Sequence, residues 1–350
     1  MGLHWSDWPQ GVLQRLRGGC VIPAMPLALT NDREFDRQRQ VALCRYYVDA
    51  GSGGLAVGVH TTQFEIRDVG LYELVLETAY DAIDTWTDKP FIRVAGVVGR
   101  TRQAVTEART AVAMGYHAGL LSLAAMKGVN EDEIVAHCRD IADEIPLIGF
   151  YLQPAVGGIA LSADFWRRFA EIDNVVAIKM APFNRYRTLD VMRGVAMAGA
   201  EDRISLYTGN DDNIVMDLIS PVEIMRDGVP VTLRIVGGLL GHWSVWAKGA
   251  VDVLQRCHNE APGDPLLVLN GQVTDCNAAF FDVANDFKGC IAGVHEVLRR
   301  QGLLAGTWCL NPDEKLSVGQ AEEITRVSRD YPHLNDDAFV AANLDRWLSD

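Results

Sequence analysis

From residue 20 onward the chain alternates short apolar or β-branched runs with longer segments that carry helix-start signals. The runs fall at 21–24, 54–59, 91–95, 118–121, 146–151, 175–180, 204–207 and 233–236. Between them, Thr101 precedes an amphipathic segment at 103–114, Asn130 one at 131–143 and Ser162 one at 164–172, each placed as an N-cap. Alternation of this kind signals βα units and a parallel sheet. An open doubly wound sheet usually has fewer strands and a glycine fingerprint after its first. Here Gly51, Gly53 and Gly54 precede a strand and miss that spacing, so they read as a turn. The predicted fold is therefore α/β, a (β/α)8 TIM barrel with a C-terminal helical appendage.

A length of 350 residues suits one such barrel with additions. The expected organisation is a leader at 1–19 with Trp5 and Trp8, the barrel at 20–257, and a helical region at 258–350. Helices are predicted there at 277–301, 319–329 and 336–348, while 219–232 lengthens the seventh connection. A net charge of −14 without a Lys/Arg cluster would repel nucleic acid and anionic membranes. Seven cysteines, an odd number with no CxxC pair, suit reduced thiols and a cytoplasmic setting. The first ten residues show no apolar h-region, and no long uncharged apolar stretch follows, so neither secretion nor a spanning helix is expected.

Chemistry concentrates at three strand ends. In the sixth run Val175, Ala177 and Lys179 share one face by the period-two rule, which aims Lys179 into the lumen. Desolvation there would depress its pKa and free a nucleophilic amine. On pattern alone an ion pair with a carboxylate such as Glu65 is the commoner reason for such a lysine. Tyr151 closes the fifth run at a corresponding position, where a phenol could shuttle protons or simply pack. After the second run comes His60-Thr61-Thr62-Gln63-Phe64-Glu65, either a plain Ser/Thr turn or a cradle for a carboxylate. Together the three describe a keto-acid site.

On Val176-Ala177-Ile178-Lys179 and Phe150-Tyr151-Leu152-Gln153-Pro154 the sequence resembles the dihydrodipicolinate synthase and N-acetylneuraminate lyase family, class I pyruvate-dependent lyases on a (β/α)8 barrel. The likeness runs from about Val21 to Leu316. It implies that Lys179 forms the imine, that Tyr151 protonates the departing hydroxyl, that Thr61 relays protons to Tyr151, and that Thr62 binds the keto-acid carboxylate. Thr208-Gly209-Asn210-Asp211 is similar to the family's Ser-Gly-Asp-Asp turn, so Gly209 would line the site through its backbone. The imine chemistry calls for neither a metal nor a cofactor. The resemblance also implies a homodimer or homotetramer.

Three departures bear on the second substrate. The family's Gly-Thr-Thr-Gly-Glu is one residue longer here before Glu65. The Arg that grips a carboxylate after the Tyr-x-x-Pro turn is replaced by Ala155-Val156-Gly157-Gly158, and the usual aromatic pair is missing from 122–126. Losing a bidentate clamp disfavours an anionic aldehyde, so the expected partner of the keto acid is less charged. His60, Gln153 and His242 are the polar candidates to recognise it, with Trp243 as an apolar wall. Three alternatives stand beside the aldolase-type lyase: a sugar-acid dehydratase using the same imine, an enzyme for phosphorylated sugars with a phosphate cradle at Gly237-Gly238, and a non-catalytic keto-acid binder.

Overall fold

The computed structural model describes residues 2–153 and 157–349. Ten strands occur among them: β1 (Val21–Pro23), β2 (Gly54–Val57), β3 (Ile92–Val97), β4 (Ala118–Leu121), β5 (Leu147–Leu152), β6 (Val175–Ala181), β7 (Ser205–Thr208), β8 (Val222–Arg226), β9 (Val229–Leu233) and β10 (Ile235–Leu240). Strands β8 and β9 form an antiparallel hairpin, and the other eight form one parallel sheet in the order β1-β10-β7-β6-β5-β4-β3-β2. Its two edges meet through the parallel bridge between Ala24 and Ala56 and the Met25 N–H, which donates to Ala56 O at 2.8 Å. The sheet is thereby closed into a TIM barrel wrapped by helices. Strands β1, β2, β4, β5, β6 and β7 are buried along their whole length, as apolar strands with a packed lumen on one side and helices on the other must be.

Two predicted elements are displaced. The eighth barrel strand is 235–240, not 233–236; Leu233 instead ends the hairpin that fills the long seventh connection. The helix predicted at 277–301 is broken. One helix, Asp264–Phe280, ends there, and the next, Cys290–Arg300, begins only after a turn in which Asp282, Asp286 and Phe287 all adopt positive φ. Periodicity carried the prediction across this break because apolar residues continue on both sides of it.

Inward side chains of neighbouring strands, among them Ile22, Ile92, Val94, Leu120, Ile148 and Phe150, fill the lumen. The leader is part of this core. Its helix Gln10–Gly18 inserts Leu16 and Val12, with Trp8 just ahead, into the same cluster, and the Tyr207 hydroxyl donates to Leu16 O at 2.8 Å. The N-terminal end of the barrel is thus plugged, leaving the C-terminal mouth, where βα loops converge, as the place for chemistry. Among the described residues no helix is long and apolar enough to cross a membrane.

Leu16 is fully buried in that plug, so Leu16→Ala is expected to destabilise the protein by about 2–5 kcal/mol. Denaturant unfolding checks this; an unchanged midpoint would mean the leader contributes nothing to the lumen.

Candidate active site

Lys179 reaches the lumen because β6 alternates regularly over Ala177, Lys179 and Ala181, with Ala177 and Ala181 in the lumen cluster. A register shift opposite Leu147 and Ile148 turns Val175 out to the helices, so the shared face predicted for Val175, Ala177 and Lys179 holds only from Ala177 onward. At the mouth Lys179 lines a cavity of about 70 Å³ with His60, Thr61, Phe150, Gln153, Gly209 and Asp211. Apolar side chains line the rest, among them Phe183, Phe281, Phe287, Ile291 and Val294. The last four come from the broken helical region, so the C-terminal appendage completes the site.

The Lys179 side chain is only 8% exposed. Its Nζ lies 4.4 Å from the centroid of the Phe150 ring, which stands beside it in strand register. Among the described residues it makes no direct ion pair; Glu65, the partner expected from pattern, is exposed on the 3-10 turn Phe64–Arg67. Burial therefore dominates and pulls the ammonium down to about 8, with the charge of Asp211 acting in the opposite sense. Gly209 is needed for this placement: a Cβ there would stand 2.6 Å from Lys179 Cε and 2.8 Å from Ala181 Cβ. The lysine stem lies in the space that any other residue would fill.

Asp211 follows on the same turn, which a buried network holds. The Thr208 hydroxyl and the Asn210 amide both donate to Asp217 Oδ2, at 2.7 and 2.9 Å, and Arg185 pairs with the other oxygen. Asn210 Oδ1 accepts the Phe183 N–H at 3.1 Å, which fixes Phe183 in its left-handed conformation at φ 49°. Asp211 Oδ1 accepts the His242 N–H at 2.9 Å. Burial pushes the Asp211 carboxyl up to about 7, against the pull of that N–H and of Lys179. His60 is lowered to about 4, first by burial and then by the Lys179 charge, so its ring is neutral.

Of the other predicted site residues, Thr61, Gln153, His60 and Gly209 meet at Lys179. Tyr151 does not. On β5 the lumen positions are Ile148, Phe150 and Leu152, whereas Tyr151 faces the helix layer. Its ring packs 5.1 Å from Trp166, and its hydroxyl accepts the Leu161 N–H at 3.2 Å and donates to Leu161 O at 3.3 Å. The relay expected from Thr61 to Tyr151 therefore lacks its second member.

Thr62 is fully buried below the turn. Its hydroxyl donates to Met25 O at 2.7 Å and accepts the N–H groups of Gly58 and Val59, which leaves it committed to holding the loop. Gly238 sits inside β10 against Trp243, with a Cβ position 2.5 Å from that ring. Gly237 is pressed against the backbone of Cys20, so the two glycines form no phosphate cradle. His242 contributes its backbone N–H to Asp211, but its ring packs 5.3 Å from Phe280, outside the cavity, and burial lowers it to about 3. Pro154, Ala155 and Val156, which carry the end of the Tyr-x-x-Pro turn and part of the replaced Arg segment, lie outside the described residues.

Sequence reasoning missed Asp211 as the charge facing Lys179 and Phe150 as its neighbour. Strict alternation from Ile148 would have found Phe150, but the Tyr-x-x-Pro pattern drew attention one residue too far. Among the described residues no group of three or more His, Cys, Asp or Glu side chains is placed to hold a metal ion.

The sequence model of the Dihydrodipicolinate synthetase family matches residues 18–240, well over half of the chain. The chain belongs to this family. N-acetylneuraminate lyase 2 of Escherichia coli O6:H1 is 24% identical over 312 residues, covering 88% of this chain and 92% of that enzyme. The 4-hydroxy-tetrahydrodipicolinate synthase of Desulforudis audaxviator is 25% identical over 247 residues, covering 69% and 79%. Among solved structures, the chloride-inhibited dihydrodipicolinate synthase of Acinetobacter baumannii complexed with pyruvate superposes with a TM-score of 0.73 at 19% identity, covering 90% of this chain and 99% of that one. The fold and its class I aldolase-type lyase family are thus shared, at an identity low enough that the site has to be argued from its own residues.

The desolvated amine has a direct signature. Reductive methylation followed by peptide mapping is expected to show Lys179 reactivity rising with pH through about 8, well below an ordinary lysine at about 10.4. An inflection at the ordinary value would show that burial does not govern it.

Proposed function

We propose that the protein is a Schiff-base-forming lyase in which Lys179 condenses with pyruvate or a closely related 2-keto acid. The observation that carries this is the buried amine, with no contacting carboxylate among the described residues, at the C-terminal mouth of the barrel. An amine lowered to about 8 supplies a usable fraction of free base near neutral pH and attacks a carbonyl, and the resulting iminium acidifies the neighbouring carbon so that an enamine forms. That enamine adds to an aldehyde, or is released when a carbon–carbon bond breaks. Cavity size supports a small first substrate. At about 10–15 Å³ per water-sized group, about 70 Å³ holds roughly five to seven such groups, the size of a three-carbon keto acid. The pyruvate described with the Acinetobacter relative points to the same class of ligand.

In this reading the keto-acid carboxylate is held by the Thr61 hydroxyl and by the N–H groups that open the 3-10 turn His60–Thr62, since the first N–H groups of a helical turn lack internal partners. Thr62 supports that turn from beneath. The second substrate is an uncharged aldehyde with an apolar substituent. Lys179 is the only cation among the described lining residues, and the outer cavity is walled by Phe183, Phe281, Phe287, Ile291 and Val294. A carboxylate on the aldehyde would be desolvated there without a partner.

Incubation with pyruvate and borohydride, then intact mass and peptide mapping, tests the imine. A reduced adduct on Lys179 is expected, absent in Lys179→Ala and retained at near wild-type rate in Tyr151→Phe, whose hydroxyl is spent on Leu161. No adduct with any small keto acid would refute the mechanism. In an aldol assay with pyruvate, uncharged aldehydes are expected to give a higher kcat/KM than aspartate semialdehyde; the reverse order would reject the apolar-substrate assignment.

A further inference from the structure

Placing Phe150 beside Lys179 and Tyr151 behind the strand leaves the imine cycle without a phenol in the cavity among the described residues. Two proton transfers still have to be made. The carbinolamine hydroxyl must be protonated to leave as water, and a proton must then leave the carbon next to the iminium. Four polar side chains besides Lys179 share the cavity among the described residues: His60, Thr61, Gln153 and Asp211. A primary amide holds no exchangeable charge at this pH range, and an alcohol can only pass on a proton that another group supplies.

We propose that Asp211 is the catalytic acid and base of the imine cycle, taking in this chain the place that the outward-facing Tyr151 leaves empty. This rests on the Schiff-base role of Lys179. The geometry is that of a built site. Asp211 sits two residues beyond Gly209, whose missing side chain lets the lysine stem lie across the turn at 2.6 Å from the Cβ position. The turn is anchored on Asp217 by Thr208 and Asn210, and the carboxylate itself is aimed by the His242 N–H at 2.9 Å on Oδ1. Asp211 is 6% exposed, and no direct ion pair with an Arg or Lys ties it down among the described residues.

The steps balance without another reactant. Lys179 Nζ attacks the keto carbon, and a proton moves from nitrogen to oxygen to give the carbinolamine. The protonated Asp211 carboxyl gives its proton to that hydroxyl, the C–O bond breaks, water leaves, and the nitrogen lone pair makes the C=N bond of the iminium. Asp211 is now a carboxylate, the form required next. It takes the proton from the adjacent carbon, the C–H electron pair becomes the C=C bond of the enamine, and the C=N π electrons return to nitrogen. A carboxyl raised to about 7 by burial can serve in both forms near neutral pH. His60, lowered to about 4, is neither charged as an imidazolium acid near pH 7 nor a strong base, and burial pushes the Cys290 thiol at the edge of the cavity far up, so it is a poor acid.

The test uses the full-length protein with pyruvate as the probe and separates the two claims. Borohydride trapping reports the imine, and proton NMR of methyl-hydrogen exchange of pyruvate in D2O reports removal of the carbon proton. In Asp211→Asn trapping is expected to reach the same end point more slowly, because imine formation loses its acid, while exchange falls by about 100-fold or more, the range removed with a general acid–base group. Tyr151→Phe, whose hydroxyl is held by Leu161 outside the cavity, is expected to retain exchange within a few-fold. Should D211N fail to fold, Asp211→Glu takes its place, with trapping retained and exchange slowed. Exchange at the wild-type rate in D211N or D211E, or a loss of exchange in Y151F as large as in D211N, would overturn the assignment of Asp211 and leave the imine intact. Absence of trapping in the wild type would instead refute the Lys179 mechanism itself.

Discussion

The site depends on an ammonium group that the barrel takes out of water without giving it a counterion at contact distance. Desolvating a charge costs more than a nearby but untouching carboxylate returns, and the amine responds by losing proton affinity. Each nearby feature bears on this balance. The register of β5 against β6 puts an aromatic ring rather than an oxygen beside Nζ. Gly209 gives the stem a dry path, and Asp211 is held far enough away to perturb the amine without neutralising it. A carboxylate in direct contact would turn the same lysine into a structural ion pair.

The barrel alone does not make the cavity. Its floor comes from strand ends, but its apolar walls come from the break in the C-terminal helices. There Asp282 holds a tight turn by accepting from Gly289 N–H at 3.0 Å and from the Asn285 amide at 2.7 Å. Left-handed backbone at Asp282, Asp286 and Phe287, and at Phe183 across the mouth, costs of order 1–3 kcal/mol per residue. The outcome is that Phe183 and Phe287 meet edge to face at 6.1 Å over the entrance. Strain concentrated where a substrate would enter is the pattern of a site whose shape is maintained against local preference.

Much of this was legible in the sequence. The βα alternation located the barrel, and alternation within 175–180 located Lys179 on the lumen face. The His60-Thr61 turn and Gly209 fell where strand ends converge. What was misplaced has physical causes. The motif points Tyr151 to the site, but the facing of β5, which the structure shows with Ile148, Phe150 and Leu152 in the lumen, turns it outward; Thr62, assigned to substrate, serves the loop because its buried hydroxyl lies next to two N–H groups. The roof was illegible because a helix-period pattern continues through 277–301 and does not register the positive φ angles that break it. Asp211 was visible as an acid on a turn, but its facing Lys179 is a fact of tertiary structure.

A crystal structure of the protein soaked with pyruvate would decide most directly whether the buried amine is the reactive centre. The expected result is continuous density from Lys179 Nζ to the second carbon of the keto acid, with the carboxylate at the turn of His60 and Thr61 and the methyl group toward Asp211. Pyruvate bound without a covalent link, or bound away from the barrel mouth while Lys179 remains free, would contradict it.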